Sequence, residues 1–177
     1  FVKDGANVLI MGRNLQKLQN AATALRKLST GGSVNIFQGD VGKEADVQAA
    51  VEAAAVDGNL DITVANAGIG GLAPIMVTES DSWDAIMQTN LTGTFDTIKH
   101  AGKAMARSGG GAICAISSIA GVRTHRFMGP YCVSKAGIVM LVRNSADELG
   151  CANIRVNSVC PGLVDTEIAW YSTLLIR

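Results

Sequence analysis

Residues 111–150 read GAICAISSIAGVRTHRFMGPYCVSKAGIVMLVRNSADELG, and they give the clearest indication of the fold class. It opens with an apolar run at 112–116, which has the length of a buried β-strand. A loop that ends in Pro130 follows, and then residues 131–149 show a helical pattern that Gly150 ends. A buried strand followed by a long helix is the repeating unit of a parallel α/β sheet.

The same alternation of strand and helix extends over the rest of the chain. Apolar runs predict strands at 8–11, 34–37, 60–65 and 154–160, and helical spacing predicts helices at 15–28, 45–56 and about 80–105, the last broken near Thr92 and Gly93. We therefore expect one domain over residues 1–177, with a doubly wound parallel sheet in three αβα layers. Because the strands are continuously apolar, we expect helices on both faces of the sheet.

The composition is that of a globular protein without an electrostatic bias. Of 177 residues, 48% are hydrophobic and 17% charged, and 15 basic residues balance 15 acidic ones. This balance gives no indication of a nucleic-acid or membrane partner, and no apolar run reaches the roughly 18 residues of a membrane helix. The four cysteines form no CxxC pair and no zinc motif, so we expect free thiols, no metal site and a reducing, cytoplasmic location.

Polar and glycine-containing clusters follow all five predicted strands. Parallel α/β sheets bind ligands beyond the carboxyl ends of their strands, so the shared position of these clusters predicts a ligand site. The clusters are Gly12-Arg13-Asn14, Gly39-Asp40, Asn66-Ala67-Gly68, Ser117-Ser118 and Pro161-Gly162.

Tyr131 and Lys135 stand four residues apart at the start of a predicted helix, which places them on one face. An ammonium near a phenol favours the phenolate, so the pair is suited to proton transfer. Ser118 follows a strand thirteen residues before Tyr131, where its hydroxyl can stabilise charge on the same reacting oxygen. Ser117 is the competing hydroxyl, and the alternative for the Tyr–Lys pair is two unrelated surface side chains.

These segments together resemble the short-chain dehydrogenase/reductase family and, within it, the 3-oxoacyl reductases. The resemblance rests on Ile116-Ser117-Ser118-Ile119-Ala120-Gly121, Tyr131-Cys132-Val133-Ser134-Lys135-Ala136, Asn66-Ala67-Gly68, Asn90-Leu91-Thr92-Gly93 and Pro161-Gly162-Leu163-Val164-Asp165-Thr166, which agree with the family in order and spacing. It implies a Rossmann-type fold and hydride transfer between NAD(P)(H) and a small-molecule alcohol or ketone.

The resemblance also implies a role for each catalytic residue. Tyr131 is the general acid/base, and Lys135 favours ionisation of its phenol and binds the nicotinamide ribose. Ser118 polarises the substrate oxygen. Asn90 holds a water that links Lys135 to solvent, the alternative being an amide that bonds only local backbone.

On the cofactor side the resemblance assigns a second set of residues. Asn66, Ala67 and Gly68 line the cofactor, the Pro161-Gly162 turn shapes its site, and Val164 and Thr166 contact it. Asp40 and Val41 resemble the pair that contacts adenine, although an aspartate here also suits an Asx turn.

Arg13 bears on the choice between the two nicotinamide cofactors. NAD-preferring Rossmann enzymes usually place an acidic residue near the end of this strand, whereas an arginine accommodates a 2′-phosphate. Arg13 therefore favours NADP(H), with NAD(H) as the alternative. The alternative to a cofactor contact is that Arg13 is simply a solvated arginine in a loop.

The sequence lacks two features of the family, the first strand and its glycine-rich TGxxxGxG loop, and the resemblance stops near Thr166. In the family that strand lies between those at 8–11 and 60–65, so we expect an incomplete Rossmann domain. The alternative functions are a catalytically silent relative that binds or regulates, and another doubly wound protein such as a nucleotide-sugar epimerase or a flavodoxin-like module.

The family likeness also implies a homo-oligomer, either a dimer or a tetramer, built from the helices around 90–106 and 131–149. The run from Ile138 to Val142 is apolar beyond one helical face, as expected for a helix that is buried on two sides. Burial within the monomer explains the same pattern.

Overall fold

The computed structural model describes residues 1–165, and strands and helices alternate along them as the sequence predicts. The elements are β1 (Val8–Gly12), α1 (Leu15–Arg26), β2 (Val34–Gln38), α2 (Glu44–Ala54), β3 (Ile62–Ala65), α3 (Ser80–Ile86), a π-helical segment (Met87–Thr92), α4 (Gly93–Ser108), β4 (Gly111–Ile116), α5 (Gly129–Leu149) and β5 (Ile154–Val159). None of the helices in this part of the chain has the length and apolarity of a membrane-spanning segment.

All strand pairs in residues 1–165 are parallel, and they form two sheets. β1 pairs with β2 from Val8 opposite Val34, while β4 lies between β3 and β5, with Ile113 opposite both Thr63 and Val156. Each parallel connection passes through a helix, as a Rossmann-type sheet requires. The predicted fold class is therefore confirmed.

A cleft of about 870 Å³ lies between β1 and β3 and separates the two sheets. It is the position at which the sequence predicts that a central strand is absent. Ile62 and Val64 of β3 are 49% and 44% exposed beside it. Two strand edges that face this cleft make no ladder hydrogen bonds with each other.

The larger core lies between the three-stranded sheet and the helices α4 and α5. Alternate strand residues, Ile113 and Ala115 of β4 and Ile154 and Val156 of β5, are buried in it. The intervening Arg155 and Asn157 of β5 are exposed. The expectation of cover on both faces is therefore wrong for β5 within the described residues, because this strand alternates apolar and polar side chains.

Two helix features differ in detail from the sequence prediction. α5 begins at Gly129 rather than at Tyr131, because Pro130 suits a first helical turn, where the missing N–H would have no intrahelical partner. The irregularity expected near Thr92 and Gly93 is the end of the π-helical segment. Such a segment contains one extra residue per turn and thereby changes the direction of the side chains that follow it.

Candidate active site

The end of β4 and the first turns of α5 bring together the residues predicted for proton transfer. Lys135 lies one turn after Tyr131, and its Nζ atom is 5.7 Å from the centroid of the Tyr131 ring. Ser118 lies in the connecting loop and caps the short turn Ile119–Gly121, accepting a hydrogen bond from the Ala120 N–H at 3.1 Å. The predicted cation–phenol pair is thus formed on one helical face.

Lys135 is almost fully withdrawn from solvent, with 3% of its surface exposed. Its Nζ donates to the Ile116 carbonyl at 2.8 Å, so the ammonium is anchored to the end of β4. Burial lowers the pKa of Lys135 from 10.5 to about 8, because desolvation penalises the charged form. The buried ammonium therefore loses its proton more readily than an exposed lysine does, at a position 5.7 Å from the Tyr131 ring.

The two serines after β4 have different surroundings. The Ser117 hydroxyl donates to the Lys135 carbonyl at 2.8 Å, and Gly121 approaches the same carbonyl so closely that a Cβ there would lie 2.7 Å from it. Ser117 therefore joins β4 to α5. The Ser118 hydroxyl accepts its hydrogen bond from a backbone N–H and so keeps its own proton for another acceptor. This difference favours Ser118 over Ser117 as the hydroxyl that meets a substrate oxygen.

Asn90 is completely buried in the π-helical segment, and its amide is held at both ends. Its Oδ1 accepts from the Ile69 N–H at 2.8 Å, and its Nδ2 donates to the Ile69 carbonyl at 2.9 Å and to Ser134 Oγ at 3.0 Å. Asn90 therefore bonds backbone, as the alternative interpretation supposes, but this backbone lies 21 residues away in the segment after β3.

Gly68 lies between Asn90 and Lys135. A Cβ on Gly68 would lie 3.4 Å from Asn90 Oδ1 and 3.4 Å from Lys135 Nζ. The missing side chain leaves a space beside the buried ammonium, at the end of β3. Asn66 and Ala67, which precede it, are exposed.

The Pro161-Gly162 turn packs next to the loop that carries Ser118. The Pro161 carbonyl accepts from the Ile119 N–H at 2.9 Å, so the ends of β4 and β5 are joined. Val164 is about half exposed beyond this turn. Thr166, the last predicted cofactor contact, lies outside the described residues.

Asp40 and Val41, the residues predicted to contact adenine, lie in a loop that packs against the π-helical segment containing Asn90. Asp40 Oδ1 accepts from the Gly42 N–H at 2.9 Å, so the Asx turn considered as an alternative is present. Gln88 Nε2 donates to the Gly42 carbonyl at 2.9 Å, and a Cβ on Gly93 would lie 2.8 Å from the Val41 carbonyl. The loop therefore packs directly against the π-helical segment that contains Asn90.

Arg13 is exposed just beyond the end of β1. Its carbonyl accepts from Gln38 Nε2 at 3.1 Å, and the Gly12 carbonyl accepts from the Gly39 N–H at 3.0 Å. The ends of β1 and β2 therefore place Arg13 and the Asp40 loop on neighbouring strands. The guanidinium is free of any salt bridge identified among residues 1–165.

Two residues that the sequence did not single out belong to this site. Ser134 is completely buried and contacts Asn90, and the Ile69 backbone binds the Asn90 amide at both of its polar groups. The only sequence signal for Ser134 is its position between Tyr131 and Lys135, on the third residue after the tyrosine. Nothing in the sequence indicates which strand end receives the Asn90 amide.

The four cysteines are free. Within residues 1–165 no three histidine, cysteine, aspartate or glutamate side chains are placed so that they could hold a metal ion.

The family model described as short chain dehydrogenase matches residues 1–174 of the chain. The chain is 38% identical over 170 residues to an oxidoreductase of Sarocladium schorii, covering 96% of this chain and 66% of the relative. It is 36% identical over 169 residues to the 3-oxoacyl-[acyl-carrier-protein] reductase FabG of Chlamydia trachomatis, covering 95% of this chain and 68% of the relative. This chain thus spans about two thirds of the length of these relatives.

Solved structures agree with the sequence comparison. A short-chain type dehydrogenase/reductase from Mycobacterium ulcerans has 39% sequence identity and a TM-score of 0.93, with 98% of this chain and 64% of that chain covered. Levodione reductase has 30% identity and a TM-score of 0.92, with 96% of this chain and 67% of that chain covered. The arrangement of strands and helices is thus shared with experimentally determined structures.

Proposed function

The chain belongs to the short-chain dehydrogenase family, and from this premise we propose that it transfers a hydride between NAD(P)(H) and the carbonyl or alcohol group of a small molecule. The observation that supports this most directly is the buried Lys135, whose ammonium lies 5.7 Å from the ring of Tyr131. A phenol that acts as a general acid or base needs a nearby charge that favours its ionised form, and the Lys135 ammonium can supply that charge.

The residues present fit two parts of a nicotinamide dinucleotide, the nicotinamide ribose and the adenine. Gly68 leaves a space beside the Lys135 ammonium that a side chain would fill, which suits close approach of a ribose hydroxyl. We also assign Asn66, Ala67, Pro161, Gly162, Val164 and Thr166 to the cofactor, and Asp40 and Val41 to its adenine. The cofactor, when bound, supplies or accepts the hydride. The sequence has no glycine-rich phosphate loop, so these residues do not account for the pyrophosphate.

The chain's own residues then manage the charge on the substrate oxygen. Tyr131 donates its proton to the oxygen during reduction and takes it back during oxidation. Ser118, whose hydroxyl proton is not used by its bond with Ala120, donates to the same oxygen and stabilises its developing charge. Lys135 holds a positive charge beside the phenol and binds the ribose. Asn90 holds a water that links Lys135 to solvent, so that Lys135 can exchange protons.

The activity is tested by following NADPH and NADH absorbance with a panel of ketones, aldehydes and 3-oxoacyl thioesters. The 3-oxoacyl thioesters are included because the FabG relative is named a 3-oxoacyl-[acyl-carrier-protein] reductase. Turnover should fall by about a hundredfold or more in Tyr131→Phe, because a positioned acid/base contributes about that much. Thermal unfolding of the variant should match the parent protein. Activity in Tyr131→Phe close to that of the parent would refute the assignment, and cofactor binding without any turnover would favour the catalytically silent alternative.

NADP(H) is the proposed preferred cofactor. Arg13 is exposed at the end of β1 and makes no salt bridge identified within residues 1–165, which leaves its guanidinium available for a 2′-phosphate. Arg13→Ala should lower kcat/KM for NADPH about tenfold or more and leave kcat/KM for NADH nearly unchanged, as expected for one lost charge-assisted contact. A higher kcat/KM for NADH in the parent protein would refute the preference.

We also propose a homo-oligomer, a dimer or a tetramer, assembled through α4 and α5 in the cytoplasm. Phe95 of α4 and Val133 and Met140 of α5 are each about half exposed, which leaves apolar surface on both helices. Free cysteines suit a reducing compartment. Sedimentation of the protein and of Phe95→Glu tests the assembly, since a charge on the interface should shift the mass toward the monomer.

A further inference from the structure

Ser134 is the one completely buried hydroxyl in α5 that contacts a residue of the proposed site on another helix. It lies between Tyr131 and Lys135 in the sequence, and none of its surface is exposed. Its Oγ donates to the Tyr131 carbonyl at 2.8 Å and accepts from Asn90 Nδ2 at 3.0 Å. Ser134 therefore touches both the turn that carries the phenol and the π-helical segment.

The direction of each hydrogen bond in this chain of contacts follows from the groups involved. The Ile69 N–H can only donate, so it determines which end of the Asn90 amide is the oxygen. Nδ2 then uses one proton for the Ile69 carbonyl and the other for Ser134. The single hydroxyl proton of Ser134 is used for the Tyr131 carbonyl. Every proton donor in this set thus has an acceptor, and no alternative arrangement satisfies all of them.

The contacts run without interruption from the strand end that lines the proposed cofactor site to the proposed acid/base. Ile69 follows Gly68 directly and is hydrogen-bonded to the Asn90 amide. Asn90 in turn donates to Ser134, and Ser134 donates to the backbone of Tyr131. Lys135 lies one residue beyond Ser134, in the second turn of α5. The hydroxyl of Ser134 is thus the only side-chain link among the described hydrogen bonds between the Asn90 amide and α5.

We propose that Ser134 is a positioning residue for hydride transfer, which holds Tyr131 and Lys135 in register with the Gly68–Ile69 segment through Asn90. The inference rests on the proposed function, because it assigns the Gly68–Ile69 segment to the cofactor. Ser134 itself does not meet substrate or cofactor. Its effect is therefore on the rate of the chemical step rather than on binding.

The test compares Ser134→Ala with Ser145→Ala, a second buried serine eleven residues further along α5. Ser134→Ala should lower kcat about tenfold, as expected for a buried amide left without its acceptor, while KM for the carbonyl substrate and the Kd for NADPH stay within about twofold. Ser145→Ala should leave all three unchanged. Ser134→Thr, which keeps the hydroxyl, should recover most of the loss.

A double variant decides whether Ser134 acts through Asn90. If it does, Asn90→Ala combined with Ser134→Ala should be no slower than Asn90→Ala alone. Independent, multiplying losses would overturn the proposal, and so would a kcat for Ser134→Ala equal to that of Ser145→Ala.

A readout without turnover separates this inference from the proposed function. The side-chain amide of Asn90 is followed in ¹⁵N–¹H spectra and assigned through its loss in Asn90→Asp. Ser134→Ala should shift this signal and accelerate its proton exchange, whereas Ser145→Ala should not. An unchanged Asn90 signal would overturn the inference. A parent protein that shows this response but no turnover with either cofactor would refute the proposed function and leave the contact between Ser134 and Asn90 established.

Discussion

Replacement of Lys135 by methionine should stabilise the folded protein at neutral pH while it abolishes catalysis. Burial lowers the pKa of Lys135 from 10.5 to about 8, a change that corresponds to about 3 kcal/mol of unfavourable free energy for the charged form in the folded state. Methionine fills nearly the same space without a charge. The pH-dependent part of this penalty is therefore removed in Lys135→Met.

The sign of the pH dependence follows from the two pKa values. Below pH 8 the folded and unfolded states both bind the proton, so the folded protein carries the full penalty. Between pH 8 and 10.5 only the unfolded lysine remains protonated, so the stability of the parent protein rises with pH. The advantage of Lys135→Met should therefore shrink by about 3 kcal/mol between pH 7 and 10.5. The lost hydrogen bond with the Ile116 carbonyl adds an offset that does not depend on pH.

Urea unfolding of both proteins at intervals from pH 6 to 10.5 measures this difference. Lys103→Met is the matched control, because Lys103 is exposed on α4 and folding does not remove its ammonium from water. The control should give a difference in unfolding free energy that is nearly constant with pH. A constant difference for Lys135→Met as well would show that the ammonium is not desolvated in the folded protein, and the argument for its tuned environment would fail.

Three further substitutions test the site, the core and the helix surface. Gly68→Ala should fold normally, but its methyl group would lie 3.4 Å from Lys135 Nζ, desolvate the ammonium further and lower its pKa. The part of the kcat/KM–pH profile that reports the ionisation of Lys135 should therefore move to lower pH. An unchanged profile would contradict the close approach of residue 68 to Lys135. Met105→Ala, at a fully buried position in the larger core, should cost about 2–5 kcal/mol of unfolding free energy in urea, and a loss below about 1 kcal/mol would indicate a loosely packed core. Hydrogen bonds from Lys99 and His100 lower the pKa of Glu44, so this carboxylate stabilises the fold above its ordinary pKa of 4.5 and that contribution is lost as the pH falls. Glu44→Gln should therefore flatten the decline of the unfolding temperature below pH 4.5, and an unchanged decline would place the acid sensitivity in other carboxylates.

Much of the fold could be predicted because its signals are local. The apolar runs, the helical spacing and the glycines between them are properties of short windows, and the strands and helices fall where these windows predict. Errors are confined to element ends and to the faces of β5, where Arg155 and Asn157 are exposed. The parallel direction of the strands also follows from the alternation of strands and helices, since parallel strands need crossover connections.

For the site, the pair of Tyr131 and Lys135 could be predicted from local spacing, because four residues within a helix are enough to bring two side chains together. Three features could not be predicted in this way: Lys135 is buried against the Ile116 carbonyl, Ser117 bonds the helix while Ser118 keeps a free proton, and Asn90 joins Ile69 to Ser134. These contacts link residues 18 to 44 positions apart. They depend on how β4, α5 and the π-helical segment pack in three dimensions, and a short window of sequence contains no information about such packing.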